Sequence, residues 1–343
     1  METITLDGRH GEGGGQILRS GLTLSLCTGR PLQLSDIRAN RRKPGLMRQH
    51  FACVKAAMEI SGGSADGAYL GSQELRFQPG TVRGGAYRFA VGSAGSASLV
   101  LQTILLPLLF AEEESVVHIE GGTHNAWAPT ADFLRSTFLP VLRRMGVQAD
   151  LELERVGFFP AGGGAIVVHV RPIRDALHPL DLLERGERLA RTATIRNAHL
   201  AHSIIEKEAA ALRNSLGMTD EEITIVQHPD SIGPGNTVEI SLEYERITEV
   251  LTGFAERGVP ARQVANGVAK KAQRFLTHDH PVGGHLADQL LLPMALLAGG
   301  RFRTKGLSKH FQTNVDVIHA FLPNAVKTTP LVNGNHLVEV KPL

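Results

Sequence analysis

Three stretches of this chain repeat one arrangement, in which a Gly-rich turn leads into an apolar helix and then, after a short turn, into a strand. The first runs from Gly13 to Cys27 and on to Pro31–Leu34, the second from Ser98 to Ala111 and on to Ser115–Ile119, and the third from Leu286 to Ala298 and on to Arg301–Thr304. Each helix carries Gln near its start. The step from Gln16 to Gln102 is 86 residues and that from Gln102 to Gln289 is 187, an excess of 101. The simplest account is three copies of one unit with an extra domain spliced between the second and third.

A second amphipathic helix recurs in the period, at Met47–Ile60 with Phe51, Val54 and Met58 in helical spacing, and at Ala131–Met145 with Phe133, Leu134, Phe138 and Leu142. Alternating runs follow both: Glu74–Phe77 and Tyr87–Val91 after the first, Ala149–Glu154 and Ala165–Val170 after the second. An amphipathic helix needs a partner layer, so the unit reads as two helices on a four-stranded sheet, and the fold class as α/β (α+β). The splice is expected over residues 184–276, a smaller α/β domain with strands at Leu189–Ile195, Glu222–Val226 and Thr237–Glu243 and helices at Ala201–Leu216 and Arg262–Leu276. Residues 1–183 and 277–343 then form the repeat-built domain, and the cleft between the two is the expected ligand site.

The 36 Lys and Arg against 34 Asp and Glu leave a net charge of +2, which excludes a strongly basic nucleic-acid coat and restricts any RNA contact to an end or a short strand. Two cysteines, Cys27 and Cys53, each within an apolar stretch, cannot form a disulfide framework, so a reducing cytoplasm is expected. No window approaches 18 uncharged apolar residues and the N-terminus lacks a basic start before an apolar core, so the expectation is a soluble chain without an export signal.

Chemistry concentrates in Gly8–Arg19. Small residues there let backbone N–H groups converge on an anion at a helix start, although a plain strand-to-helix turn would use the same glycines. The loop lacks the Lys-Ser/Thr pair of a Walker loop and departs from the dinucleotide fingerprint. Glu12, an acid inside such a loop, makes sense if a divalent cation accompanies the phosphates. The cluster Arg38–Gln49 follows, where several Arg forks could grip a terminal phosphate or simply form a solvated loop. None of the 15 histidines has metal-ligand spacing, and composition does not single out His310. Ser93–Ser98 lacks the Gly-x-Ser-x-Gly elbow of hydrolases.

Taken together, the segments Gly11–Arg19, Ile37–Leu46, Pro79–Gly85, Phe158–Gly164, Gly233–Asn236, His285–Leu290 and His310–Asn314 make the chain resemble the RNA 3'-terminal phosphate cyclases over essentially its whole length. The resemblance implies repeated two-helix, four-strand units with a smaller insert, and ATP-dependent conversion of an RNA 3'-phosphate end to a 2',3'-cyclic phosphodiester. It implies His310 as the nucleotidyl-accepting residue and Glu12 as the contact for Mg²⁺ or Mn²⁺. Arg19, Arg38, Arg41 and Gln49 would surround the substrate phosphates, while Gln102, Pro129 and the run His285, Leu286, Ala287, Asp288, Gln289 would form the adenosine pocket. It also implies a homodimer. Two departures stand out: His285 replaces an expected Tyr, and Trp127 beside Pro129 is local to this chain. The competing classes are a non-enzymatic cyclase-like protein of ribosome assembly, which lacks the nucleophile, and an enolpyruvyl transferase, which would need a Lys/Arg-lined carboxylate site.

Overall fold

The computed structural model describes residues 2–343. Its first unit runs β1 (Ile4–Asp7), α1 (Gln16–Thr28), β2 (Leu32–Ser35), α2 (Arg48–Ser61), β3 (Ser64–Asp66) and β4 (Leu75–Gln78), giving a sheet ordered β1-β2-β4-β3. β1 and β2 are parallel and the other pairs antiparallel, with Leu32 set between Ile4 and Phe77. Burial alternates along β1 and β4, because one face of the sheet meets helices and the other meets solvent.

The second unit repeats this connectivity with β5 (Gly85–Ala90), α3 (Ala97–Leu109), β6 (Ser115–Gly121), a helical segment, β7 (Gln148–Arg155) and β8 (Gly164–Arg171), in the order β5-β6-β8-β7. The helical segment comprises α4 (Ala131–Phe133), a π-helical turn (Leu134–Phe138) and α5 (Leu139–Arg144). Tyr87–Val91, read from sequence as closing the first unit, instead opens the second: β5 pairs in parallel with β6. Alternation alone does not say which sheet a strand joins. The short β3, with a single partly buried residue, carries no such pattern and was not foreseen.

The third unit begins earlier than expected. β9 (Leu180–Leu182) pairs in parallel with β14 (Gly300–Lys305), and the sheet is completed by β15 (Val326–Pro330) and β16 (Asn335–Val340) in the order β15-β16-β14-β9. Helices α8 (Gly284–Leu296) and α9 (Lys309–Phe321) belong to it. Between β9 and α8 lie β10 (Arg188–Ala198), α6 (His202–Leu216), β11 (Ile223–Gln227), β12 (Gly235–Tyr244), β13 (Thr248–Phe254) and α7 (Ala261–Leu276), whose strands form a sheet of their own. The extra segment therefore interrupts the third unit after its first strand instead of separating two whole units. β9 is too short to show a period.

Helix α3 is central. Every one of its residues is buried except Gln102, so that one amide is the polar side chain the helix leaves partly open. α1 packs against both α3 and α9, and α8 packs against α9, which brings the starts of the repeat helices together.

Candidate active site

The three equivalent glutamines meet at one place. Gln102 donates from Nε2 to Gln289 Oε1 at 2.7 Å, and Gln16 donates from Nε2 to Asp288 Oδ1 at 2.7 Å. The other end of the Gln16 amide, Oε1, lies 2.9 Å from His310 Nδ1. A carbonyl oxygen only accepts, so Nδ1 is the donor, and in the neutral ring the lone pair is on Nε2. Nε2 has no hydrogen-bond partner among the described residues. Burial pushes the Asp288 carboxyl up, against the Gln16 hydrogen bond that favours its ionised form.

Gln16, Arg19, Gln102, Pro129, His285, Asp288, Gln289 and His310 line one cavity of about 590 Å³, within the range of small-ligand sites. Its far wall is Val250–Phe254 on β13 and Lys271 on α7, neither picked out from the sequence. Leu286 and Ala287 do not line it. They face the core on the opposite side of α8, at 0% and 1% exposure, as their positions on a helix between His285 and Asp288 require. Ser98, in the turn that opens α3, donates to the Pro129 carbonyl at 2.7 Å and so fixes that wall.

The glycine loop closes onto α9. Gly11 has φ +58°, and a Cβ there would collide with the Thr313 hydroxyl, which accepts from the Glu12 N–H at 2.8 Å. Glu12 forms an ion pair with Arg41, whose Nη2 also donates to the Glu12 carbonyl at 3.1 Å, and its Oε2 stands 4.0 Å from His310 Nδ1. Gly15 leaves room for His50 and Arg19; a Cβ would strike the His50 ring. His50 Nδ1 accepts from the Met47 N–H at 3.2 Å, and burial, then Arg19 and Arg38, push its pKa down to about 3, so it stays neutral beside them.

The remaining expected phosphate residues are placed differently. Arg38, in left-handed backbone at φ 56°, spends Nη1 on the carbonyls of Lys43 and Gly45 at 2.7 and 2.9 Å, and so shapes the basic loop. Gln49 Oε1 accepts from the Ser96 N–H at 2.8 Å, joining α2 to the turn before α3. Neither lines the cavity.

A second polar cluster supports the cavity from behind. His124, Asp132 and Glu239 bring ligand-type atoms within 4.8 Å of one another, but the Arg196 guanidinium stands among them, 2.8 Å from Asp132 Oδ1 and 3.7 Å from Glu239 Oε2. That guanidinium supplies the positive charge a cation would bring. Thr130 and Thr252 both donate to Glu239 Oε1, at 3.0 and 3.2 Å. Burial on its own would raise the Asp132 carboxyl, yet His124, Arg196 and Arg135 outweigh it and hold that group below the ordinary carboxylate range; burial and Asp132 push Glu239 up.

Repeated α/β units meeting at a cavity of small-ligand size, with a histidine and an acid-bearing glycine loop beside it, define a repeat-built α/β fold with one central site. The chain belongs to the RNA 3'-terminal phosphate cyclase family, whose model matches residues 10–328. It is 48% identical to an RNA 3'-terminal phosphate cyclase of Salmonella enteritidis over 93% of this chain and 94% of that one. It is 46% identical to one of Pseudomonas fluorescens over 96% of both. The solved enolpyruvyl transferase NikO from Streptomyces tendae overlaps 49% of this chain and 33% of its own at 16% identity and a TM-score of 0.28, too slight to bear on fold or function. Among the described residues no helix is long and apolar enough to cross a membrane.

Proposed function

We propose that the protein is an ATP-dependent RNA 3'-terminal phosphate cyclase acting through a covalent adenylyl-His310. The observation that carries this is the Gln16–His310 hydrogen bond, which makes Nδ1 the donor and so puts the lone pair of the neutral ring on Nε2 at the cavity. His310 Nε2 attacks the α-phosphorus of ATP; the P–N bond forms, the α–β P–O bond breaks and pyrophosphate leaves. A 3'-phosphate oxygen of RNA then attacks the same phosphorus and displaces His310, giving RNA-(3')pp(5')A. The neighbouring 2'-OH attacks the terminal phosphorus and AMP departs. Ring closure is intramolecular, so the high effective molarity of the 2'-OH supplies much of its rate.

Gln102, Pro129, His285, Asp288 and Gln289 would hold adenosine, an assignment supported by their shared cavity. Arg19 and Arg41 would receive substrate phosphates, while Arg38 and Gln49 shape the loops around them. Glu12, completed by phosphate oxygens, fits Mg²⁺ or Mn²⁺, since such ions are held by one or two carboxylates plus substrate; when bound, the ion neutralises phosphate charge. Residues 184–276 serve as the inserted domain on the repeat-built 1–183 and 277–343, a division supported by the wall that Val250–Phe254 and Lys271 lend to the cavity. Cys27 and Cys53 are both free thiols, which fits a reducing, cytoplasmic location.

Incubation with α-labelled ATP and Mg²⁺ tests the first step: label should stay on the protein through alkali and leave in acid, and a 3'-phosphorylated RNA should discharge it as AMP. No protein-bound label at all would refute the reading. Gln16→Leu should slow self-labelling about a hundredfold, because the ring loses its tautomer and aim. Gln16→Glu keeps an acceptor for Nδ1–H and should retain more, and equal rates for all three proteins would refute the relay. Arg41→Ala should depress RNA-end turnover about tenfold more than self-labelling, the loss expected for one charge-assisted contact to phosphate.

A further inference from the structure

Trp127 is the single tryptophan of the chain and is 93% exposed, although its neighbours Ala126, Ala128 and Pro129 join it in lining the cavity. Two more large apolar side chains stand out on loops that adjoin this one, Phe159 at 76% and Ile232 at 67% exposure.

The loops that carry them are fastened together. Asn125 Nδ2 donates to the Ala94 carbonyl, His124 bridges to Phe158, Gly162 packs on the Ala94 backbone, and Gly163 touches Ile232. Cations tie into the same loops: Arg48 Nη1 donates to the Gly92 carbonyl at 2.7 Å, and Arg155 Nε donates to Gly163 O at 2.5 Å. Segments 92–96, 123–130, 157–164 and 231–235 contain no Asp or Glu. Arg41, Arg42 and Lys43 lie exposed on the neighbouring basic loop.

Exposed aromatics on loops that are fastened together, carry no acid of their own and are tied to arginines suit a flexible single strand whose bases stack on rings while its backbone follows the positive charge. From this we propose that Trp127 and Phe159 form a base-stacking platform for the last nucleotides of the RNA, upstream of the terminal phosphate. The platform rests on the cyclase reading, and it adds to the adenosine residues a subsite that grips RNA bases with little regard to sequence.

The lone tryptophan makes the test direct. With ATP absent, a single-stranded, 3'-phosphorylated RNA hexamer should quench Trp127 emission, saturating in the range where it saturates turnover, and a hexamer abasic at its last three positions should quench far less. Trp127→Ala and Phe159→Ala should each raise KM for the hexamer about tenfold relative to any effect on self-labelling, and Trp127→Phe, which keeps a stacking face, should restore most of the loss. Quenching by ATP but not by RNA would assign the ring to adenine and overturn the platform, and so would an emission change that follows protein concentration alone, which assigns the patch to self-association. A protein that self-labels and cyclises while Trp127 stays silent loses only the platform; one that does neither loses the cyclase reading itself.

Discussion

His310→Ala is expected to abolish retention of label from α-labelled ATP, a fall on the order of 10⁴-fold or more, while the chain keeps its fold. The side chain is 56% exposed and makes one hydrogen bond, to Gln16, so little packing is lost. Position 310 lies in the first turn of α9, where Ala is a better helix former than His. Lys271 also lines the cavity and Lys309 precedes the histidine, and a lysine phosphoramidate would share the same stability in alkali and lability in acid. Only the substitution separates them. Labelling that persists in a folded His310→Ala protein moves the nucleophile to one of those amines, whereas loss of label together with loss of the native circular dichroism would say nothing of chemistry; a supplied RNA-(3')pp(5')A should therefore still be cyclised by the variant, since that step needs no adenylyl-histidine.

The relation between period and site explains what the sequence could disclose. A helix with Gln near its start recurs three times, and the same register that reveals the repeat brings Gln16, Gln102 and Gln289 to one cavity, Gln102 on Gln289 and Gln16 on Asp288, because units of one topology packed by equivalent helices present equivalent positions to a shared centre. Gln16 could have been selected from that phase alone, yet its role is invisible until His310 and Asp288, nearly three hundred residues away, come within hydrogen-bonding reach. Leu286 and Ala287 were drawn into the expected pocket as part of a motif; the 100° step of a helix sends them to the core. The platform residues carry no periodic signal at all, since loop tips are placed by the elements they join. β3 and β9 were missed for a related reason: three residues cannot display an alternation, and their membership is fixed only by pairing across the sheet.

Arg196→Ala should destabilise the protein by about 3–5 kcal/mol, the cost of leaving buried charge without its partner. Arg196 is 9% exposed and sits on β10 against two carboxylates, one from α4 and one from β12, so it joins the extra sheet to the second repeat unit. Lysine cannot span Asp132, Glu239 and the His228 ring, 3.3 Å from Arg196 Nη1, with a single ammonium, so Arg196→Lys should recover little. Neutralising the acids together with the arginine, as in Arg196→Met with Asp132→Asn and Glu239→Gln, should recover most of the stability. The pH dependence has a definite sign. Asp132 is held below its ordinary value of 3.8, so the stability it contributes is complete above that value and is lost as pH falls through the depressed native one. His124 is the largest cause of that depression, and Arg196→Ala removes the share that the guanidinium adds to it. Its deficit should therefore be largest above about pH 5 and shrink on acidification, as Asp132 becomes free to take a proton. Denaturant titrations of the full chain at several pH values measure this, and a deficit under about 1 kcal/mol, or one that grows toward acid, would mean that the cluster is not the charged latch described. Because Thr130 joins that cluster next to Pro129, loosening it should also move the cavity wall, and the same variant should lose affinity for ATP before it loses its fold.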